Sequence, residues 1–218
     1  MNYNTEIQKV KNLFNWPLEC PIVKENKQHW FQDAGKFGFE HLFNKRNPKI
    51  ILELGSWTGA GSTTYILNKR LQSHLICVDH WSEDRNVHAE QFKDGNLSQI
   101  NADAHIYPVL WNTFLHNTWE YRERLTPIRK KTSDALPYLY ELNIPIDMIY
   151  IDAHHNYDAA FHDISKCLEY WPNAEICGDD FNWHCSGDGG VSQAVTECSK
   201  SYNLRYNVIH GLFWYFEK

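Results

Sequence analysis

The stretch IILELGSWTGAGSTTYIL, residues 50 to 67, decides the reading of this chain. A short apolar run carries Glu53 near its end, glycines follow at Gly55 and Gly59, and small hydroxyl residues from Ser62 open an apparent helix. The pattern is that of a strand, a tight turn and a helix N-terminus. Such a junction exposes backbone N–H groups, and glycine lets a ligand approach the main chain without meeting a Cβ. The turn is therefore a cradle for a nucleotide-like molecule, the alternative being an ordinary strand-to-helix turn. A dinucleotide asks for G-x-G-x-x-G, so that the chain can close on a pyrophosphate; here Trp57 stands where the second glycine belongs.

A ligand without phosphates, carrying its charge in an amino-acid end, needs less glycine and gains from a carboxylate, which Glu53 would supply directly or through water. S-adenosylmethionine has that shape. Gly55, Ser56, Gly59 and Ser62 join Glu53 as cofactor-binding candidates, and a valine at Gly55 is expected to weaken binding while the fold largely survives. The E-x-G-x-x-x-G pattern resembles motif I of the class I S-adenosylmethionine-dependent methyltransferases, and GSWTGAGST resembles its variant in small-molecule O-methyltransferases.

The 218 residues suffice for one α/β domain with a full core. The expected organisation is an N-terminal helical segment, 1–46, and a domain over 47–218. A net charge of −6 argues against a protein that grips phosphate backbones, although Arg129, Lys130 and Lys131 form a small basic run, read as a solvated strand edge. No nucleic-acid partner is expected. No basic head followed by an apolar run opens the sequence and no segment approaches bilayer length, so no membrane partner and a cytoplasmic location are expected. The six cysteines form no C-x-x-C, which suits reduced thiols.

Two apolar patterns precede the first strand: Ile7, Val10, Leu13 and Phe14, then Trp30, Phe31, Phe37, Phe39, Leu42 and Phe43. The second is read as an aromatic helix that caps the sheet, covers the substrate side or supports a homo-oligomer. HLICVD, 74 to 79, reads as a second strand whose terminal Asp79 accepts hydrogen bonds from ribose hydroxyls. A turn at Asp94-Gly95-Asn96 and a helix from Pro108 to Glu123 follow. Thr126 to Arg129 is a third strand, and a helix runs from Thr132 through Leu142, where Ser133 or Asp134 serves as an N-cap. Residues 146–151 and 174–177 are strands ending at Asp152 and at Asp179-Asp180. A hairpin of 204–209 and 212–216 closes the chain. The expected fold is a Rossmann-like, doubly wound, mostly parallel sheet of seven strands with an antiparallel C-terminal pair.

In a parallel sheet the ligand lies at the carboxyl ends of the strands, so Glu53, Asp79, Asp152, Asp179 and Asp180 are expected to converge. Clustered carboxylates need a cation nearby. Asp152, Asp179 and Asp180 make an oxygen-rich site for Mg²⁺ or Mn²⁺, the alternative being an N-cap beside a solvated acid. IDAHHNYDAAFHDI, 151 to 164, resembles the I-D-x-x-H-x-Y-x-x-x-x-x-D-[IL] segment of a methyltransferase family that includes sugar-modifying enzymes of antibiotic biosynthesis. GDDF, 178 to 181, and Gly190-Val191 with Ala194-Val195 are similar to its G-D-D-[YFW] and G-V-x-x-A-V. The resemblance implies metal ligation by Asp152, Asp179 and Asp180, contact of Ser133 or Asp134 with the adenine amino group, and a general base at His155. Ala153-His154-His155 replaces the usual G-S-H, leaving either histidine to face the site.

The implied activity is metal-assisted O-methyl transfer to a small hydroxylated acceptor, a sugar or glycan, with a catechol-type acceptor as the alternative. If His155 is the base, the rate rises with pH through its pKa. A zinc hydrolase drawing on Asp152, His154, His155, His162, His184 and Cys185 lacks any compact ligand spacing. A non-catalytic binding protein is the remaining alternative.

Overall fold

A computed structural model describes residues 3–24, 26–89, 104–183 and 190–217. The turn expected at Asp94-Gly95-Asn96, and His184 with Cys185, lie outside them. Seven strands form one sheet: β1 (Ile50–Leu54), β2 (His74–Asp79), β3 (Leu125–Arg129), β4 (Met148–Ile151), β5 (Glu175–Gly178), β6 (Arg205–Ile209) and β7 (Phe213–Glu217), in the order β3-β2-β1-β4-β5-β7-β6. The first five run parallel, and β7 is antiparallel to β5 and β6. The strand order reverses between β1 and β4, so the crevice above that pair is where such a sheet takes a ligand.

The apolar strands are covered on both faces, and their side chains alternate between two cores. Ile50, Leu52 and Leu54 of β1 and Ile149 and Ile151 of β4 enter one, together with α6 (Thr132–Glu141), α7 (Tyr157–Tyr170) and α8 (Gly190–Ser201). Ile51, Met148, Tyr150 and Cys177 enter the other, with α2 (Asp33–Lys45), α3 (Ser62–Lys69) and α5 (Leu110–Thr118). Of the remaining helices, α1 (Tyr3–Lys11) is tied to the start of β4 by a Tyr3 hydroxyl that donates to Asp147, and α4 (Arg85–Ala89) lies beyond β2. Among the described residues no helix is long and apolar enough to cross a membrane.

Trp30 and Phe31 precede α2 and are not part of it, which corrects the expected helical pattern. The stretch from Pro108 is a short 3₁₀ turn followed by α5 and a second 3₁₀ turn. Arg129 does end an edge strand as expected.

Candidate active site

The junction after β1 is built around Glu53. This carboxylate is wholly buried and accepts hydrogen bonds from the hydroxyls of Ser56 (2.7 Å), Ser62 (2.6 Å) and Thr63 (2.5 Å), with the Cys77 thiol at 3.3 Å. Burial pushes its pKa up, against the lowering effect of those donors. The expectation that Glu53 meets the cofactor is thus corrected: it lies beneath the turn and ties the start of the loop to the first turn of α3. Its role is to hold the cradle's shape.

Gly55 has φ +84°, a conformation that costs a residue with a side chain, and its N–H donates to the Val78 carbonyl. A Cβ there would overlap the carbonyl oxygen of Asp152 and lie 2.8 Å from Ala153 Cα. The space it leaves is therefore occupied by the chain after β4 as well as open to a ligand, and the expected survival of the fold with valine at this position is corrected. Gly59 does not line the cleft; its missing side chain makes room for Thr118 and Phe114 of α5.

A cleft of about 480 Å³ opens over the β1 and β4 ends, and Gly55, Ser56, Ser62 and Asp79 are among its walls. Asp79 organises the rim of this cradle: one oxygen accepts the N–H groups of Ser56 (3.1 Å) and Trp57 (3.0 Å), the other that of Trp81 (2.8 Å). Ser133, with Lys130 and Lys131, reaches the mouth, whereas Asp134 does not line it, because one residue along a helix turns the side chain away. The basic run read as a solvated strand edge thus contributes two residues to the rim.

The N-terminal segment also enters the site. Thr58 donates its hydroxyl to the Gln28 carbonyl (2.7 Å), the Trp57 indole donates to the Gln28 side chain, and Asn117 donates to the carbonyls of Asn26 and Thr58. Trp30 stacks on Trp57 at 5.2 Å between ring centroids. His29 to Gln32 consequently form a wall of the cleft. Cover of the substrate side was among the readings of the Trp30 and Phe31 pattern, whereas the contacts of Asn26 and Gln28 leave no signal in the spacing, since they depend on long-range folding.

Opposite the glycine turn, Asp152, His155 and Asp180 bring ligand atoms within 4.8 Å of one another, the one such group among the described residues. His155 Nε2 is 2.9 Å from Asp180 and 3.6 Å from Asp152, and Trp183 packs edge-on against its ring. Burial opposes charge on this imidazole, but the two carboxylates outweigh it and raise its pKa to about 10. Burial raises the pKa of Asp152 and, with Asp152 and Asp180 adding, pushes Asp179 to about 7. Asp180 takes φ +60°, a costly conformation for a residue with a side chain, which here helps set the direction of its carboxylate. Asp179 lines the same wall but stands outside the group of three, its oxygens receiving the Asp180 N–H (3.0 Å) and facing the Tyr150 hydroxyl. His154 also lines the cleft, with its pKa lowered chiefly by burial and with Nδ1 buried and without a hydrogen-bond partner. Neither His154 nor His162 joins the cluster.

The donor chemistry fits a divalent cation: two carboxylates converge with a histidine whose Nδ1 is buried without a hydrogen-bond partner, and a third carboxylate stands beside them. A strand-end cradle with an acid at the end of the neighbouring strand is the constellation of a nucleoside-cofactor enzyme on a doubly wound sheet. The family model described as "Methyltransferase domain" matches residues 52–181, more than half the chain, and the chain belongs to that family.

Three solved structures share the class I methyltransferase fold. An O-methyltransferase from Bacillus cereus in complex with SAH is 17% identical, with a TM-score of 0.50 over 98% of this chain and 90% of the other. TomG from Streptomyces achromogenes, an O-methyltransferase involved in tomaymycin synthesis and in complex with SAM, is 14% identical, with a TM-score of 0.50 over 99% and 89%. The calicheamicin methyltransferase CalS11 is 12% identical, with a TM-score of 0.52 over 84% and 77%. No curated protein matches the chain.

Proposed function

We propose that the protein is an S-adenosylmethionine-dependent O-methyltransferase that acts on a hydroxyl of a small acceptor, a sugar or glycan, with a divalent metal and a histidine base. The observation that carries this reading is one cleft with the glycine turn and Asp79 on one side and the Asp152, His155 and Asp180 cluster on the other. The backbone around Gly55 and Ser56 receives the methionine portion of the cofactor, and Asp79 keeps lone pairs for the ribose. Ser133 stands at the adenine end.

Asp152, Asp179 and Asp180 would hold Mg²⁺ or Mn²⁺, which supplies positive charge against the carboxylates and lowers the pKa of the acceptor hydroxyl. Bound S-adenosylmethionine would supply the methyl group for an in-line displacement at the acceptor oxygen, its C–S bond breaking as the C–O bond forms and a neutral thioether being the leaving group. The acceptor's proton goes to His155, which needs a neutral ring to accept it; Asp152 and Asp180 raise its pKa, and a cation held by those acids would offset that effect. Aromatic walls at Trp30, Trp57, Tyr107 and Trp183 suit the apolar face of a sugar ring and also favour the second reading, a catechol-type acceptor.

The first 46 residues are an appended segment in this reading, one that completes the cleft through His29 to Gln32, and its aromatic surface is the candidate contact between copies. The five described cysteines are free thiols, which accords with a cytoplasmic location. The test is calorimetry with S-adenosylmethionine, with and without Mg²⁺, followed by methyl-transfer assays on glycosides and catechols. Binding of the cofactor and turnover that stops in chelator and returns with Mg²⁺ are expected. Full turnover in excess chelator would remove the metal from the mechanism, and absence of cofactor binding would remove the enzyme reading.

A further inference from the structure

Tyr150 sits on β4 two residues before Asp152, so both side chains leave the strand on the same face. It is completely buried, and its ring is wedged between Phe39, 4.8 Å away between centroids, and Phe213 at 6.1 Å. The ring therefore has no room to swing, and its hydroxyl is delivered to a fixed point. That point is 3.3 Å from Asp152 Oδ2 and 3.3 Å from Asp179 Oδ2. β4 and β5 are neighbours, with Ile151 paired to Gly178, so the two acids are adjacent across the strand ends and the phenol oxygen stands between them from below.

A buried tyrosine hydroxyl needs a partner, and any carbonyl would satisfy it. Here it meets two carboxylates from different strands, both named above as holders of the cation. We propose that Tyr150 is a positioning residue for the metal site, its hydroxyl spanning Asp152 and Asp179 and holding the two carboxylates in the orientation in which they face a cation together. The inference rests on the reading of the cleft as a metal site. A carboxylate oxygen has two lone pairs, so a phenol whose single proton is shared between Asp152 Oδ2 and Asp179 Oδ2 leaves each acid free to ligate, and a rotation about the terminal torsion of either acid is opposed by weakening of that shared contact. Partners of this kind behind metal ligands typically contribute 10- to 100-fold to affinity.

The experiment is Mn²⁺ binding by electron paramagnetic resonance, with S-adenosylhomocysteine affinity measured in parallel. Four proteins are compared: wild type, Tyr150→Phe, Asp179→Asn and the double variant. Phenylalanine keeps the ring against Phe39 and Phe213, so melting temperature and S-adenosylhomocysteine affinity should stay close to wild type. Mn²⁺ affinity should fall about 10-fold or more in Tyr150→Phe. The double variant should lose less Mn²⁺ affinity than the two single losses combined, because the hydroxyl acts in part through that acid and in part through Asp152. Wild-type Mn²⁺ affinity in Tyr150→Phe, or losses that simply add in the double variant, would overturn the positioning role and leave the metal reading standing. A wild-type protein that binds no Mn²⁺ would overturn both.

Discussion

Replacing Gly55 by alanine distinguishes a turn that only touches ligand from one that also spaces two strand ends. The added methyl would be held at φ +84° and would press on the Asp152 carbonyl and on Ala153 Cα at 2.8 Å. Strain at such a backbone position costs about 1 to 3 kcal/mol, and relief of the overlap adds to it. Unfolding free energy should fall by about 2 to 4 kcal/mol, which for a chain of this size lowers the melting temperature by about 5 to 12 °C. The overlap is relieved by moving the chain at Asp152, and an ångström of misplacement in a reacting group costs on the order of 100-fold in rate. Urea titration, calorimetry with S-adenosylhomocysteine and Mn²⁺ binding are the assays. Loss is expected in all three, and metal affinity should fall although Gly55 is no ligand. A Gly55→Ala protein with wild-type stability and Mn²⁺ affinity, weakened only in cofactor binding, would refute the reasoning.

Asp79→Ala removes the acceptor of three backbone N–H groups, so S-adenosylhomocysteine affinity should fall at least about 10-fold together with a lower melting temperature; retention of both would sink its role in the cradle. His155→Ala should lower turnover by about 10²- to 10⁴-fold with cofactor affinity nearly unchanged, and steady-state kinetics in which only His154→Ala loses rate would move the base to that neighbour. Burial, with Lys11 and Arg124 adding, lowers the pKa of His74 to about 4, while its ring nitrogen pairs with Thr126. The unfolded chain takes up a proton near pH 6.5 that the folded chain refuses, so stability attributable to this residue falls from pH 7 towards pH 4. Between pH 7 and 4.5 the wild type should lose about 2.5 kcal/mol more than His74→Gln by urea titration, and parallel pH curves would disprove the linkage.

Strand identity was legible because a buried parallel strand is nearly continuous apolar sequence, as in β1, β2 and β4. The convergence of Asp79, Asp152, Asp179 and Asp180 followed from the same reading, since in a parallel sheet every strand presents its carboxyl end to one crevice. What each acid does there was not legible. Glu53 and Asp79 look alike as acids at or near strand ends, yet the alternation of side chains and the hydroxyls of Ser56, Ser62 and Thr63 bury one and leave the other at the rim. Tyr150 carried a readable signal, its two-residue offset from Asp152, but that offset marks a shared face and says nothing of Asp179.

The sequence by itself determined the α/β class, the cradle at Gly55 and the set of acids at the strand ends, because these depend on local periodicity and on turn chemistry within a few residues. Only the tertiary structure decided that Gln28 and Trp30 close over Trp57, that Lys130 and Lys131 reach the cleft, and that His155 stands between Asp152 and Asp180. Those are contacts between elements far apart in the chain. They depend on the packing of elements in three dimensions, a relation that no spacing along one strand or helix encodes.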